Sequence, residues 1–288
     1  MAVLGRGEGY GGISVLHALG AGYGSTLSIA ISTRVQLRDT PVKKEPEDPH
    51  GLLPAIVEAW TSSGQPLPEA EEGLHWAVRS DIPTGRGLKS SSALAVACIR
   101  ALCDATEVML ESHEIVDIAT AAQLACGCSL TGSVDDSWSA VEPGWKVVDP
   151  SVPAINGVLM QGEIPDADAW TILILDRGPR VIQPDPERFQ LTAGQFQQAI
   201  SAVEQQQIFN AMIHNSRAVT TSLGDSAGRK ICNDMGVLGC RVSAISGSGP
   251  AIFLIIPTTQ ESTIRRIKQT LEPRNWNIIE TSFRTSET

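Results

Sequence analysis

Apolar and polar positions change their period several times along the chain, which predicts a mixture of strands and helices. Leu27 to Leu37 and Leu74 to Ile82 alternate apolar and polar residues, as half-buried strands do. Ser90 to Ala105 is apolar on nearly every side and predicts a buried helix, and Trp170 to Leu175 is an apolar run typical of a buried strand. Further predicted elements are helices at 51–60, 112–125, 226–235 and 259–271, helical spacing within 190–223, and strands at 241–245, 251–256 and 275–283.

The order of these elements indicates the fold class. Strands and helices in the second half follow each other as in a compact α+β layer with helices on one face. Proline and glycine cluster between Pro150 and Pro165, and we place a domain boundary there. The prediction is an α+β protein with one domain at 1–155 and a second at 156–288, which 288 residues can support.

Composition narrows the class of protein. With 42% apolar and 19% charged residues, general disorder is excluded. The net charge of −10 opposes nucleic-acid binding, so an anionic substrate needs a local positive site. No apolar run reaches the length of about 18 residues that a membrane span requires, and the first ten residues do not resemble a secretory signal. The six scattered cysteines are interpreted as reduced thiols, so we expect a cytoplasmic protein. We expect no membrane or nucleic-acid partner, and a homodimer is one candidate state.

One segment combines several features of a phosphate site. Pro83 to Ala93 reads Pro-Thr-Gly-Arg-Gly-Leu-Lys-Ser-Ser-Ser-Ala and joins a predicted strand to the buried helix. Gly85 and Gly87 allow the backbone to approach a ligand closely. The free N–H groups at the helix start favour an anion, and Arg86 and Lys89 add positive charge. A serine-capped helix after a tight turn is the simpler alternative.

The segment is not a Walker A loop, because Leu88 and Pro83 stand where that motif requires glycine. Its pattern Pro-x-x-x-Gly-Leu-x-Ser-Ser resembles the second motif of the GHMP kinases. Ser-Gly-Ser-Gly-Pro at 246–250 resembles their third motif. Gly-Leu-Lys-Ser-Ser-Ser-Ala at 87–93, together with Thr-Gly-Ser-Val-Asp-Asp at 131–136, is most similar to the archaeal-type shikimate kinases within that superfamily.

This resemblance implies a fold and an activity. The N-terminal domain would be similar to domain 2 of ribosomal protein S5, and the C-terminal domain to a ferredoxin-like layer. The implied enzyme transfers phosphate from ATP, with Mg²⁺, to the 3-hydroxyl of shikimate on the route to chorismate and the aromatic amino acids. Two alternatives stay open: another acceptor such as homoserine or mevalonate, and a nucleotide-binding protein that has lost catalysis.

The resemblance also implies residue roles. Asp135 aligns with the aspartate that serves several members as catalytic base, Lys89 would stabilise the transferred phosphoryl group, and Ser91 would reach Mg²⁺. Asp136 would bind metal or orient its neighbours; a pair of loop aspartates making Asx turns is the plainer alternative. The expected ATP-binding residues are Pro83, Gly85, Arg86, Gly87, Leu88, Lys89, Ser90, Ser91 and Ser92, and the expected substrate-binding residues are Asp135, Asp136, Ser246, Gly247, Ser248, Gly249 and Arg241.

Some positions depart from the family pattern. Gln123 lies where many members have a glutamate that binds Mg²⁺, so the metal is expected to depend more on ATP oxygens and Ser91. His17 stands where asparagine is expected, and as a lone histidine in an apolar run it is more often structural. The carboxylate of shikimate calls for an arginine fork, for which Arg241 and Arg217 are candidates unless each is a surface cation.

Overall fold

The computed structural model describes residues 2–286, and its first half is built on a long β-hairpin. Strands β1 (Val3–Leu16) and β2 (Gly24–Arg38) pair antiparallel and are joined through a four-residue helix, α1 (Ala18–Ala21). Alternate glycines on β1 face a helix: a Cβ at Gly5 or Gly7 would meet backbone carbonyl oxygens of that helix. The glycines therefore let a helix lie directly on the strand.

That helix is α3 (Ser90–Thr106), the buried helix expected from the sequence. Among residues 2–286 the first sheet has five strands, in the order β1-β2-β4-β5 with β3 paired to β2. Helix α3 packs on β1 and β2, and further helices cover the same face. The remaining elements of this half are α2 (Leu52–Ser62), β3 (His75–Ser80), α4 (Ser112–Ala125), α5 (Val134–Val141), β4 (Trp145–Val148), α6 (Ala154–Gly157) and β5 (Val158–Gly162).

The second half contains an antiparallel sheet of four strands, in the order β7-β8-β6-β9, within the described residues. Its central strand β8 is buried along nearly its whole length. The elements are β6 (Trp170–Asp176), α7 (Pro186–Leu191), α8 (Gln197–Glu204), α9 (Ile208–Leu223), α10 (Ser226–Val237), β7 (Val242–Ile245), β8 (Ile252–Pro257), α11 (Glu261–Leu271) and β9 (Asn277–Thr281).

One hydrophobic core connects the two halves. Ile13 and Ile29 of the first sheet belong to the same buried cluster as Ile172 and Phe253 of the second, and residues of α8 and α9 complete it. Because this shared core fixes the two sheets against each other, loops from both halves can meet at one place.

The α+β class expected from the sequence is confirmed, and the structure builds it on two sheets. The boundary at 155/156 stays a prediction; it falls within α6, and the following strand β5 pairs with β4 of the first sheet. Residues 190–223, for which helical spacing was predicted, form separate helices in the structure. The chain breaks between α8 and α9 because Gln206 has a left-handed backbone with a φ of 58°. In the part of the chain that the structure describes, no helix has the length and apolarity to cross a membrane.

Candidate active site

A cavity of about 650 Å³ opens where loops of the two halves meet. The first half contributes the end of β1 and the loops before α3 and α5, and the second half contributes the loops that follow β6 and β7. Its lining includes residues 16–19, 84–87, 89–91, 127–131, 179–180, 183–184 and 247–248, together with Ser14, His50, Ser133, Asp135 and Asp136.

The glycine–serine loop, defined here as residues 84–91, forms one wall and leads into α3. Lys89 has a left-handed backbone with φ of 68°, which turns the chain sharply at the helix start. No side chain caps this helix, and Ser90 and Ser91 of its first turn line the cavity. An uncapped helix N-terminus presents backbone N–H groups and a positive dipole end, which together favour an anion.

The loop of the third motif, 246–249, supports the glycine–serine loop from the other half. Ser246 Oγ donates to the carbonyl oxygen of Gly87 at 2.7 Å. Gly87 has a φ of 81°, and a Cβ there would collide with the backbone carbonyl of Ser246. The amide of Gly247 donates to Ser14 Oγ at 2.9 Å. Glycine at 87 is therefore required both by the backbone conformation and by the close approach of the two loops.

Lys89, Thr26 and the two aspartates form one polar network at the floor of the cavity. Lys89 Nζ lies 2.8 Å from Asp136 Oδ1 and also donates to Ser14 Oγ at 2.8 Å. Thr26 Oγ1 lies 2.8 Å from Asp135 Oδ2 and 2.7 Å from Asp136 Oδ1. A hydroxyl has one proton to donate, so the second short contact needs a proton from a carboxyl group. Because Asp136 is ion-paired with Lys89, that proton belongs on Asp135.

The electrostatics of Asp135 agree with this arrangement. Its side chain is buried, and burial together with the charge of Asp136 raises the pKa of the Asp135 carboxyl from 3.8 to about 7, although Lys89 opposes the shift. A carboxyl group with its pKa near neutrality can both take and release a proton under physiological conditions. The two aspartates thus differ in state: Asp136 is ion-paired with Lys89, and Asp135 is buried with a raised pKa.

Both aspartates lie in the first turn of the helix α5. The alternative of two aspartates on a loop is therefore wrong in its geometry. The eight-residue helix starts at Val134 after a left-handed Ser133, and both side chains reach Thr26 on β2. The short helix was hidden by the small and polar residues that precede it.

Arg180 lines the cavity and was missed by the sequence analysis. Its Nε and Nη2 atoms donate to the carbonyl oxygen of Gly249 at 3.2 and 3.0 Å. It follows β6 in the segment Gly178-Pro179-Arg180, and a cation just after a buried strand is the signal that could have found it. Desolvation lowers its pKa from the ordinary value, yet an arginine stays charged at neutral pH.

His17 also lines the cavity, at the end of β1. Its Nε2 atom lies 2.8 Å from Ser248 Oγ, its backbone amide donates to Asn215 Oδ1, and its ring lies against Phe189. Burial and the positive charge of Lys89 lower its pKa to about 3, so the ring is neutral. The residue joins both halves of the protein at the cavity.

Comparisons with known proteins agree with this geometry. Residues 55–142 match the family described as GHMP kinases N terminal domain, which includes the glycine–serine loop and both aspartates. Full-length similarity extends to proteins named shikimate kinase, from Methanocella arvoryzae (27% identity, 90% of this chain and 87% of that one) and Methanothermobacter thermautotrophicus (26%, 91% and 90%). Residues 55–142 are thus similar to the N-terminal domain of the GHMP kinases.

The match to the shikimate kinase of Pyrococcus abyssi is shorter: 28% identity over 50% of this chain, spanning 55% of the relative. Among solved structures, mevalonate kinase of Methanococcus jannaschii has a TM-score of 0.74 at 13% identity, covering 97% of this chain and 98% of that one. Homoserine kinase of Cytophaga hutchinsonii has a TM-score of 0.67 at 15%, covering 99% and 96%. These structures show the GHMP kinase fold. The domain match and the kinase relatives together indicate a phosphotransferase with an alcohol acceptor, which uses ATP and a small-molecule substrate.

Several residues expected at the site lie outside the cavity lining. Leu88 is buried in the core, and Ser92 Oγ donates to Gln123 Oε1 inside the helical layer. Arg241 points elsewhere: it donates to Asn210 Oδ1 at 3.3 Å and lies over the ring of Phe209. The other residues not in the lining are Pro83, Ser246 and Gly249, of which the last two hold the neighbouring loop and Arg180.

Arg86 lines the cavity but is already paired. Its Nε donates to Asp176 Oδ1 at 2.6 Å, at the end of β6, and both side chains are largely buried. The backbone carbonyl of Arg86 also accepts from the amide of Ala251 at 3.1 Å. The residue therefore fixes the glycine–serine loop to the second half of the kinase and contributes less free charge than expected.

Gln123, at the position where many family members have glutamate, is fully buried and does not line the active-site cavity. Its Oε1 accepts from Ser92, and its Nε2 donates to Ser137 Oγ at 3.1 Å. No cluster of three or more His, Cys, Asp or Glu side chains that could hold a metal is found in residues 2–286. The side-chain oxygens of the cavity lining include those of Ser91, Asp135 and Asp136.

Proposed function

We propose that this kinase transfers the γ-phosphoryl group of ATP to the 3-hydroxyl of shikimate, a step on the route to chorismate and the aromatic amino acids. The substrate is supported by the relatives named shikimate kinase whose similarity spans about nine-tenths of both chains. The cavity supports the chemistry, since it places an anion-binding loop beside a buried carboxyl group with a raised pKa.

The glycine–serine loop and the start of α3 would bind the phosphates of ATP. Residues 84–91 present backbone amides and an uncapped helix N-terminus to the cavity, while Lys89 adds a nearby positive charge. The oxygen atoms of Ser91 and of the two aspartates fit a Mg²⁺ ion that would be held mainly by phosphate oxygens and water. Ser91 would be a protein ligand of this ion, and one carboxylate of the aspartate pair would lie beside it. When bound, Mg²⁺ neutralises charge on the phosphates.

Asp135 would act on the acceptor hydroxyl. The hydroxyl oxygen forms a bond to the γ-phosphorus, the bond to the ADP oxygen breaks, and the hydroxyl proton passes to Asp135. The buried environment that raises the pKa of Asp135 also makes it a stronger base once ionised. Thr26 holds the carboxylate by a hydrogen bond, and Lys89, positioned by Asp136 and Ser14, stabilises charge on the transferred group.

Arg180 would bind the carboxylate of the acceptor. A guanidinium presents paired N–H donors that match a carboxylate. Two arginines line the cavity: Arg86 is paired with Asp176, whereas Arg180 has no carboxylate partner among the described residues. Its hydrogen bonds to Gly249 place it beside the loop of the third motif. Shikimate, homoserine and mevalonate all carry a carboxylate, so Arg180 fits each of them and the relatives favour shikimate.

The proposal also includes a cytoplasmic location and a homodimer. All six cysteines are free thiols in the structure, as expected in a reducing compartment. Analytical ultracentrifugation of the full chain tests the dimer directly: a single species with the mass of one chain contradicts it.

An assay of ADP release with shikimate, homoserine and mevalonate in parallel tests the function. We expect turnover with shikimate to exceed turnover with either other alcohol, with a phosphate monoester as the product in ³¹P NMR. Preference for another alcohol contradicts the substrate while leaving the kinase intact. Nucleotide binding without turnover on any of the three contradicts the proposed catalysis.

A further inference from the structure

A second cleft, of about 380 Å³, lies on the second half of the molecule between α9, α10 and the start of β7. It is separate from the cavity of the proposed active site and shares no lining residue with it. Its lining consists of Ile213, Ser216, Arg217, Thr220, Arg229, Cys232, Asn233, Gly236, Val237, Cys240, Arg241 and Ser243.

The arginines in the lining of this cleft make it positively charged. Three arginines line it, at positions 217, 229 and 241, and the lining contains no aspartate or glutamate. In the region covered by residues 2–286, none of the three forms an ion pair with a carboxylate. Such a concentration of positive charge is notable in a chain whose net charge is −10.

The contacts of the arginines leave their charge uncompensated. Arg229 donates to Thr221 Oγ1 at 3.2 Å, and Arg241 donates to Asn210 Oδ1 at 3.3 Å, so both partners are neutral. The two cysteines add no negative charge, because burial raises the pKa of Cys232 to about 11 and that of Cys240 to about 12. An anion in the cleft would therefore meet guanidinium groups without a competing carboxylate.

We propose that this cleft is a second binding site, for a small metabolite carrying carboxylate or phosphate groups. Its volume suits a small organic molecule, and three guanidinium groups offer the paired donors that both kinds of oxyanion accept. The hydroxyls of Ser216 and Ser243 and the amide of Asn233 add polar contacts at the same place. The binding itself does not depend on the proposed acceptor.

Helix α9 connects this cleft to the active-site cavity. Asn215 Oδ1 accepts from the amide of His17, which lines that cavity. The next residue, Ser216, lines the second cleft, and its Oγ accepts from the amide of Ile245 at 2.9 Å, directly before the loop of the third motif. A ligand that moves Ser216 would change the position of that loop, so occupancy of the cleft is expected to change the KM for the acceptor.

Isothermal titration of the full chain with citrate and, separately, with inorganic phosphate tests the site. Saturating ADP and shikimate, with Mg²⁺ in excess over citrate, occupy the proposed phosphate and carboxylate sites of the active-site cavity throughout. We expect one anion to bind per chain, and the double variant Arg217→Ala with Arg241→Ala to weaken binding about tenfold or more, since charge-assisted hydrogen bonds are lost. Arg265→Ala, an exposed arginine on α11, is the matched control.

Binding of citrate alone assigns the site to carboxylates, and binding of phosphate alone assigns it to phosphate esters; either result supports the site. Equal affinity of the wild type and the double variant, or no binding of either anion, overturns it. Should the alanine variant unfold, the pair Arg217→Lys and Arg241→Lys keeps the charge but loses the planar fork, and weaker binding is again expected. These titrations are independent of turnover, so they separate failure of this site from failure of the proposed function.

Discussion

Replacing Asp135 with asparagine separates the catalytic role of this residue from its role in the fold. The change removes the group that we propose takes the proton of the acceptor hydroxyl. It keeps the size of the side chain, and the amide offers both a donor and an acceptor for the contact with Thr26 Oγ1, 2.8 Å away in the wild type. The binding surface for ATP, formed by the glycine–serine loop, is not altered.

The expected loss of kcat is about 10²–10⁴-fold, which is the usual contribution of a general base. Each factor of ten corresponds to about 1.4 kcal/mol of barrier, so the loss amounts to roughly 3–5 kcal/mol. The free energy of unfolding of this variant, unlike its kcat, should not fall. Because burial and Asp136 raise the pKa of Asp135 from 3.8 to about 7, the folded state loses stability as the pH rises through this range. Asparagine cannot ionise, so the variant escapes this loss.

Initial rates of ADP release and thermal unfolding, each measured across pH, provide the assay. For the wild type we expect kcat/KM to rise with pH around 7, as Asp135 ionises, and for Asp135→Asn we expect this rise to disappear. The Tm of the variant should equal or exceed that of the wild type, with the difference growing as the pH rises from 3.8 to about 7 and staying constant above that range. Asp168→Asn, at an exposed position, is the matched control. A variant with kcat within a few-fold of the wild type would refute the base assignment.

Three further substitutions test the supporting geometry. Gly87→Ala forces a side chain into a left-handed position against a backbone carbonyl, and we expect a loss of about 1–3 kcal/mol in denaturant unfolding with a raised KM for ATP, whereas Gly194→Ala, in open space, should change neither. Gln123→Glu should lower the free energy of unfolding by about 1–3 kcal/mol, because the buried amide donors are lost. It should not lower the Mg²⁺ concentration that activity requires, so a stable variant that needs less Mg²⁺ would contradict this. Arg180→Ala should raise the KM for shikimate about 10–100-fold and leave the KM for ATP unchanged, while Arg265→Ala alters neither; an equal effect on both substrates argues against carboxylate binding.

Elements with a strong period could be predicted from the sequence. The buried helix 90–105 is found as α3, and the helix predicted at 112–125 has those bounds in the structure. The glycine–serine loop was found because its glycines, cations and serines are contiguous, so the local sequence contains the whole feature.

Residues that reach the site through tertiary packing could not be predicted in the same way. Arg241 precedes the third motif closely in sequence, yet β7 separates them, and an extended strand places Arg241 about 16 Å from Ser246 at roughly 3.3 Å per residue. Arg180 is far from every motif in sequence and reaches the cavity because the shared core brings the two sheets together. The raised pKa of Asp135 likewise depends first on burial, which the chain sequence does not reveal.

A crystal structure with ADP and shikimate bound tests the central claim most directly. The account predicts that the phosphates of ADP contact the backbone amides of residues 84–91, that the shikimate carboxylate binds Arg180, and that its 3-hydroxyl lies within hydrogen-bond distance of Asp135. Phosphates bound away from the start of α3, or a 3-hydroxyl directed away from Asp135, would contradict it.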